Sequence, residues 1–220
     1  MIAASRVDEQ FRAYVASDEF SCLAGRGVVN SGAHTLAVYG LLGSARSTRR
    51  LASDLGVFAK DLDDSNAHLR AFIAVFPTQP PADEATFEQR LWKQLQALSD
   101  IESPDVPWSG AVSDDPADPQ FSFSFAGQAF FIVGLHAASS RVSRRFRWPT
   151  LVFNPRMQFD DLRANGRFDR LRGMIREREI AIQGSLNPNL ADFGEASEAR
   201  QYSGRAVEPG WECPFHHKSP

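Results

Sequence analysis

Cysteine is nearly missing from this chain: Cys22 and Cys213 are the two it has in 220 residues. Two thiols build no disulfide framework, which is expected of a cytoplasmic protein. Long apolar runs are missing as well. None approaches the roughly 18 residues that cross a bilayer, and the opening MIAASRVDEQFRAYV has no apolar signal-peptide core. No charge of one sign prevails: 24 Lys and Arg stand against 27 Asp and Glu, a net charge of −3. That balance supplies no basic field, so neither a nucleic-acid nor a membrane partner is expected. No internal repeat is visible, and nothing in the sequence signals an oligomeric state. What remains is a composition 43% hydrophobic and 23% charged, suited to one well-buried domain over residues 1–220.

What is abundant is phenylalanine, 17 residues, with four tryptophans beside it. Such aromatic surface suits a large core or a planar ligand. Along the chain, Phe11, Tyr14 and Val15 give Arg6–Ala16 an apolar helical side. FSCLAGRGVVNSGA reads as a glycine-bearing loop and His34–Tyr39 as a strand. Ser44 is placed to cap a helix running to about Asp61, where Leu51, Leu55 and Phe58 recur at helical spacing. LRAFIAVF (Leu69–Phe76) is a buried strand stopped by Pro77. Phe87, Leu91, Leu95 and Leu98 form one stripe on a helix over Ala82–Leu98. The proline-rich stretch Asp100–Pro119 is a loop around Trp108. Phe121, Phe123 and Phe125 alternate with Ser122 and Ser124 in a strand with one buried face. Ala126-Gly127 turns it into the apolar strand Ala129–Leu135. Thr150–Phe153 is a further strand, and Phe159–Ile182 is helical with a break at Gly166. The expected fold is α+β: a single domain with a central antiparallel or mixed sheet flanked by helices.

The hairpin Phe121–Phe146 carries the chemistry. It brings His136 to the end of a buried strand, and Arg141, Arg144 and Arg145 follow at once. A histidine leaving an apolar wall beside clustered cations suits a flat, apolar, dianionic cofactor. Haem b matches: its iron takes an axial nitrogen, its ring takes apolar walls such as Phe131, Val133 and Leu135, and its propionates take arginines. Arg205 is a further candidate for a propionate. No CxxCH attachment motif is present, so binding would be non-covalent. Cys213, in WECPF, is the rival iron ligand, because a thiolate also ligates haem. Cys22 is a third candidate. His34 and His68 fall at strand starts and His216 and His217 near the terminus. CPFHH is the one cluster with zinc-like spacing, and it lacks two ligands.

Several segments, taken together and in order, resemble one family. They are VYGLLGS, FIAVFP, FEQRLWKQLQ, DDPADPQFSFSFAGQAFFIVGLHAASSRVSRRF, LVFNPRMQF, IQGSLNPNLADFGEASEARQYSGR and WECPF. The resemblance is to the YqcI/YcgG family of bacterial proteins. Its members look like haem-dependent N-hydroxylases of guanidino amino acids, arginine or a cyclic relative, in natural-product biosynthesis. Four positions depart from the family pattern: Ala137 where proline is expected after His136, Arg156 where histidine is common, Asn189 in place of methionine, and CLAGRGVV around Cys22.

The resemblance implies an iron-haem monooxygenase using O2 or peroxide, with a small guanidino substrate and an external electron donor, since no flavin or nicotinamide fingerprint is present. A guanidinium needs a carboxylate partner, and Glu195 and Glu198 are the expected ones, with Tyr202 beside them; Asp114 and Asp115 are alternatives. Residues 187–215 are aromatic though aperiodic, so an irregular flap closing the pocket is expected, with Phe193, Tyr202, Trp211 and Phe215 packed on the sheet and 216–220 frayed. A non-catalytic haem sensor or carrier would share the pocket without needing the acids.

Overall fold

A computed structural model describes residues 2–62, 69–192 and 194–217. One five-stranded mixed sheet organises the fold, in the order β1-β2-β5-β4-β3. The strands are β1 His34–Val38, β2 Ala71–Val75, β3 Phe123–Phe125, β4 Gln128–Leu135 and β5 Thr150–Pro155. β1 runs parallel to β2, and the remaining pairs are antiparallel. Among the described residues, seven helices flank the sheet: α1 Ala4–Ala16, α2 Leu23–Asn30, α3 Ala45–Lys60, α4 Glu84–Ile101, α5 Met157–Ala164, α6 Phe168–Gln183 and α7 Ala199–Tyr202. The expected α+β domain is therefore what the chain forms. His68 and Phe193 lie outside the described residues.

Strand alternation splits the apolar residues into two layers. Phe72, Ala74 and Phe76 join Phe130, Ile132, Leu151 and Phe153 in a core covered by α3 and α4. Ile73, Val75 and Leu135 belong to a second cluster with Val7, Phe11 and Val15 of α1. Ser44 caps α3 by accepting from Ser47 N, and Asp83 caps α4 by accepting from Thr86 N at 2.8 Å. The β3–β4 turn places both central residues in the left-handed region, Ala126 at φ 52° and Gly127 at φ 73°. That pair of positive angles joins two-residue hairpins without splaying the strands.

Three expectations needed correction. α2 forms where a loop was expected: Val28 and Val29 bury, and Cys22 caps the first turn. Tertiary packing thus overrides the low helix propensity of Gly25 and Gly27. β3 is buried on both faces, because Ser124 Oγ accepts from Ser109 N and Ser122 meets Glu198. The terminus is tied down as far as His217: His216 N donates to Gln96 Oε1 at 2.9 Å, and His217 contacts Asp114 at 3.0 Å.

β3 is too short to pair with all of β4, so the free edge of β4 is covered by α7 and the chain after it. Gly134 permits this close approach. A Cβ there would stand 2.7 Å from Phe87 Cε1, 2.9 Å from Leu91 Cδ1 and 2.9 Å from the Tyr202 carbonyl oxygen. The carbonyl is backbone and cannot swing aside. Gly134→Ala is expected to lower the unfolding free energy by ~1–3 kcal/mol, the usual range for overpacking. An unchanged urea midpoint would show that the edge is looser than described.

Candidate functional site

Helix α6 buries none of its residues fully, although Phe168, Leu171 and Ile175 form an apolar stripe along it. That stripe faces space. Between it and the sheet lies a cavity of about 360 Å³, within the usual range for small-molecule and cofactor sites. Its floor is the second face of the sheet: Ile73, Phe131, Val133, Leu135 and Val152. Phe11 and Val15 of α1, Val28 and Val29 of α2, and Phe159 and Leu162 of α5 complete the apolar walls.

Cys22 opens into this cavity from the N-terminus of α2. Its Sγ accepts from Gly25 N at 3.4 Å. Burial pushes the thiol's pKa up, while backbone N–H groups of Gly25 and Ala24 and the guanidinium of Arg144 act to lower it. Burial prevails, so the thiol's pKa lies above its ordinary value and the neutral thiol is favoured.

The charged lining is unbalanced. Arg141, Arg144, Arg156, Arg163, Arg172 and Arg176 border the cavity, against Glu179, Asp192 and Glu198, a surplus of three positive charges. Arg141 binds Glu179 through Nε at 3.0 Å. Burial pushes the Glu179 carboxyl up, yet hydrogen bonds from Ser21, Arg141 and Ser143 hold its pKa below the ordinary value. Arg172 and Arg176 converge on Asp192, the latter at 3.0 Å. Glu198 takes Arg156 and the Ser122 hydroxyl, the latter at 2.8 Å. Its pKa is raised, because burial outweighs those partners. Arg144 differs from the other five: its hydrogen bonds go to the carbonyl oxygens of Tyr202, at 3.1 Å, and Gly134, at 3.4 Å. Among the described residues it is the cavity arginine with no ion pair to a carboxylate.

Of the residues expected at the site, the structure brings Cys22, Arg141, Arg144 and Glu198 to the cavity, together with the sheet residues Phe131, Val133 and Leu135. It places the others elsewhere. His136 follows Leu135, so strand alternation turns it to the opposite face, where its ring stacks on Phe87 with centroids 4.3 Å apart. Both ring nitrogens are buried without a partner among the described residues. Burial lowers the pKa to about 4, with Glu84 and Asp83 opposing and Arg144 assisting. A neutral imidazole has the right donor chemistry for iron, but His136 lines neither the cavity under α6 nor the smaller recess beside it.

Cys213 packs against the α4 side of the core, and burial pushes its pKa up to about 12. Tyr202 is fully buried there, stacked on Trp92, with its hydroxyl accepting from Phe123 N at 3.1 Å. Arg205 is bound to Glu88 and Glu208. Glu195 is exposed and accepts from Asp192 N, and Arg145 is exposed and donates to the Ser139 carbonyl at 2.7 Å. None of these lines the cavity.

The expected flap divides in two. Asn187, Leu190, Ala191, Asp192, Glu198 and Gln201 wall the cavity. Beyond Tyr202 the chain rounds the β4 edge and lies on the other face, where Trp211, Cys213 and Phe215 meet the main core. A small polar recess of about 220 Å³ adjoins the cavity and shares Arg163, Phe168, Arg172 and Asp192 with it.

Comparison with known proteins bears on this arrangement. The model of the YqcI/YcgG family matches residues 11–216. Uncharacterized protein YcgG of Bacillus subtilis (strain 168) is 29% identical over 214 residues, covering 90% of this chain and 81% of that protein. Uncharacterized protein YqcI of the same organism is 32% identical over 135 residues, covering 59% of this chain and 52% of its own length. No solved structure matches the chain.

Proposed function

This chain belongs to the YqcI/YcgG family, and from that premise we propose that it is a haem-dependent monooxygenase acting on a small guanidino compound, arginine or a relative. The observation that carries the reading is the cavity itself. An apolar slot has a cysteine at a helix N-terminus on one wall and a surplus of arginines around it. Those features match the demands of haem b in turn: apolar walls for the ring, an axial donor, and cations for two propionates. Cys22 is the candidate axial ligand in place of His136 and Cys213, and Arg144 is the candidate propionate partner. Haem, when bound, supplies activation of O2 or peroxide.

The chain's own residues have the remaining tasks. Phe131, Val133 and Val152 exclude water from the floor, which strengthens every charged contact above it. Glu198 is the candidate partner for the substrate's guanidinium, reached by exchange with Arg156. Two electrons and two protons accompany each O2 that places one oxygen on the substrate and one in water, so an external donor is required.

A second reading, a haem-binding sensor or carrier, has one observation in its favour: each cavity carboxylate already holds an arginine of the chain. Protein purified from haem-supplied cells is expected to show a Soret band. Given arginine, a reductant and oxygen, it should yield a product heavier by one oxygen atom. A colourless protein removes both readings, and a coloured one inactive on every guanidino compound offered leaves the carrier.

A further inference from the structure

We propose that Arg156 is a tethered guanidinium that fills the cavity's guanidinium subsite at Glu198 until a ligand of the same chemistry displaces it. Arg156 is then a specificity-determining residue: it sets which compounds enter and how tightly they bind. The inference rests on the guanidino reading of the cavity given above.

Glu198 is 5% exposed, lines the cavity, and accepts from Arg156 and from Ser122. A buried carboxylate without a partner is costly, so the subsite needs an occupant when no ligand is present. A guanidinium is the planar, multiply donating group that such a carboxylate binds best. Exchanging one guanidinium for another leaves the charge of the wall unchanged, so no buried charge is created. Ser122 keeps a donor on Glu198 while the exchange proceeds. Arg156 also has a second partner ready: Asp160, one turn along α5, lies 3.8 Å from its Nη2, and its side chain is 56% exposed. Arg156 therefore stands between a buried acid that faces the cavity and an exposed acid that faces water.

Tethering gives the internal guanidinium a high effective concentration, on the order of millimolar for short flexible links. Weak guanidino ligands lose that competition. Ammonium ligands gain little when it is removed, because they lack the planar fork.

Isothermal titration of the full chain with methylguanidinium tests the inference, with methylammonium as the control of equal charge. Arg156→Ala is expected to bind methylguanidinium at least tenfold more tightly than the parent chain, and methylammonium no more tightly. Adding Glu198→Gln should abolish the gain. A folded Arg156→Ala that binds methylguanidinium no better than the parent overturns the proposal. So does an equal gain for methylammonium, or a gain that survives Glu198→Gln. Should Arg156→Ala not fold with Glu198 left unpaired, Arg156→Met fills the same space without charge, and the same binding results support or overturn the proposal. No haem and no turnover enter this measurement, so its failure is distinguishable from failure of the oxygenase reading.

Discussion

Cys22→Ala is expected to abolish or reshape the Soret band of the haem-loaded protein, whereas His136→Ala and Cys213→Ala should leave the band position unchanged. The reason is place rather than donor chemistry. Cys22 caps α2 and opens into the cavity, while His136 is stacked on Phe87 and Cys213 lies in the core on the far side of the sheet. Thiolate and imidazole ligation give different absorption spectra, so the ligand is read directly without turnover. Cys22→His is a useful companion. If the cavity accepts an imidazole, the spectrum should move from thiolate-like to histidine-like. Retention of the parent spectrum in Cys22→Ala, with its loss in His136→Ala, would overturn the assignment and require haem to sit where the structure has packed side chains. Arg144→Ala belongs in the same experiment. It should weaken haem retention without moving the band, because it is the proposed partner of a propionate and not of the iron.

The second large effect concerns stability. Glu88→Ala should destabilise the fold by about 3 kcal/mol, the lower end of the cost of breaking a buried ion pair. For a chain of this length, that is a fall of roughly 6–12 °C in Tm. Glu88 is 8% exposed and joins four donors. Its Oε2 accepts from Ser203 Oγ at 2.8 Å and Arg205 Nε at 3.1 Å, and its Oε1 from Arg205 Nη2 at 3.0 Å and Trp211 Nε1 at 3.0 Å. All four belong to the C-terminal strap, which carries Trp211 and Phe215 onto α4. The Glu88 side chain is about a tenth exposed and Arg205 about a fifth, so solvent screens the pair only modestly. Proteolysis should then cut after Tyr202, where the strap leaves the edge of β4. Haem affinity measured below the new Tm should be unchanged, since the strap does not wall the cavity. A Tm within about 2 °C of the parent would show that aromatic packing alone holds the strap.

Local pattern was enough for most of the fold. The 3.6-residue stripe of Phe87, Leu91, Leu95 and Leu98 marks α4, and Ser44 marks the start of α3. Ala126-Gly127 marks the hairpin, because a helix period, a cap and a tight turn are each written in a few neighbouring residues. The break at Gly166 separates α5 from α6 where it was expected. Strand parity held more than was drawn from it. If Phe131, Val133 and Leu135 face a cofactor, His136 must face away, so the separation of this histidine from that face was legible in the alternation itself.

What only the tertiary structure decided is which groups converge. Cys22 and Arg144 are 122 residues apart and line the same cavity because α2 and the loop after β4 cover the same face of the sheet. Arg156 claims Glu198 across 42 residues, and Glu88 claims Arg205 across 117. Such pairings depend on how helices close over a sheet, a sum of many weak apolar contacts. No short stretch of sequence encodes that sum, so local sequence determined most of the elements, and the packing determined α2 and the cavity's lining.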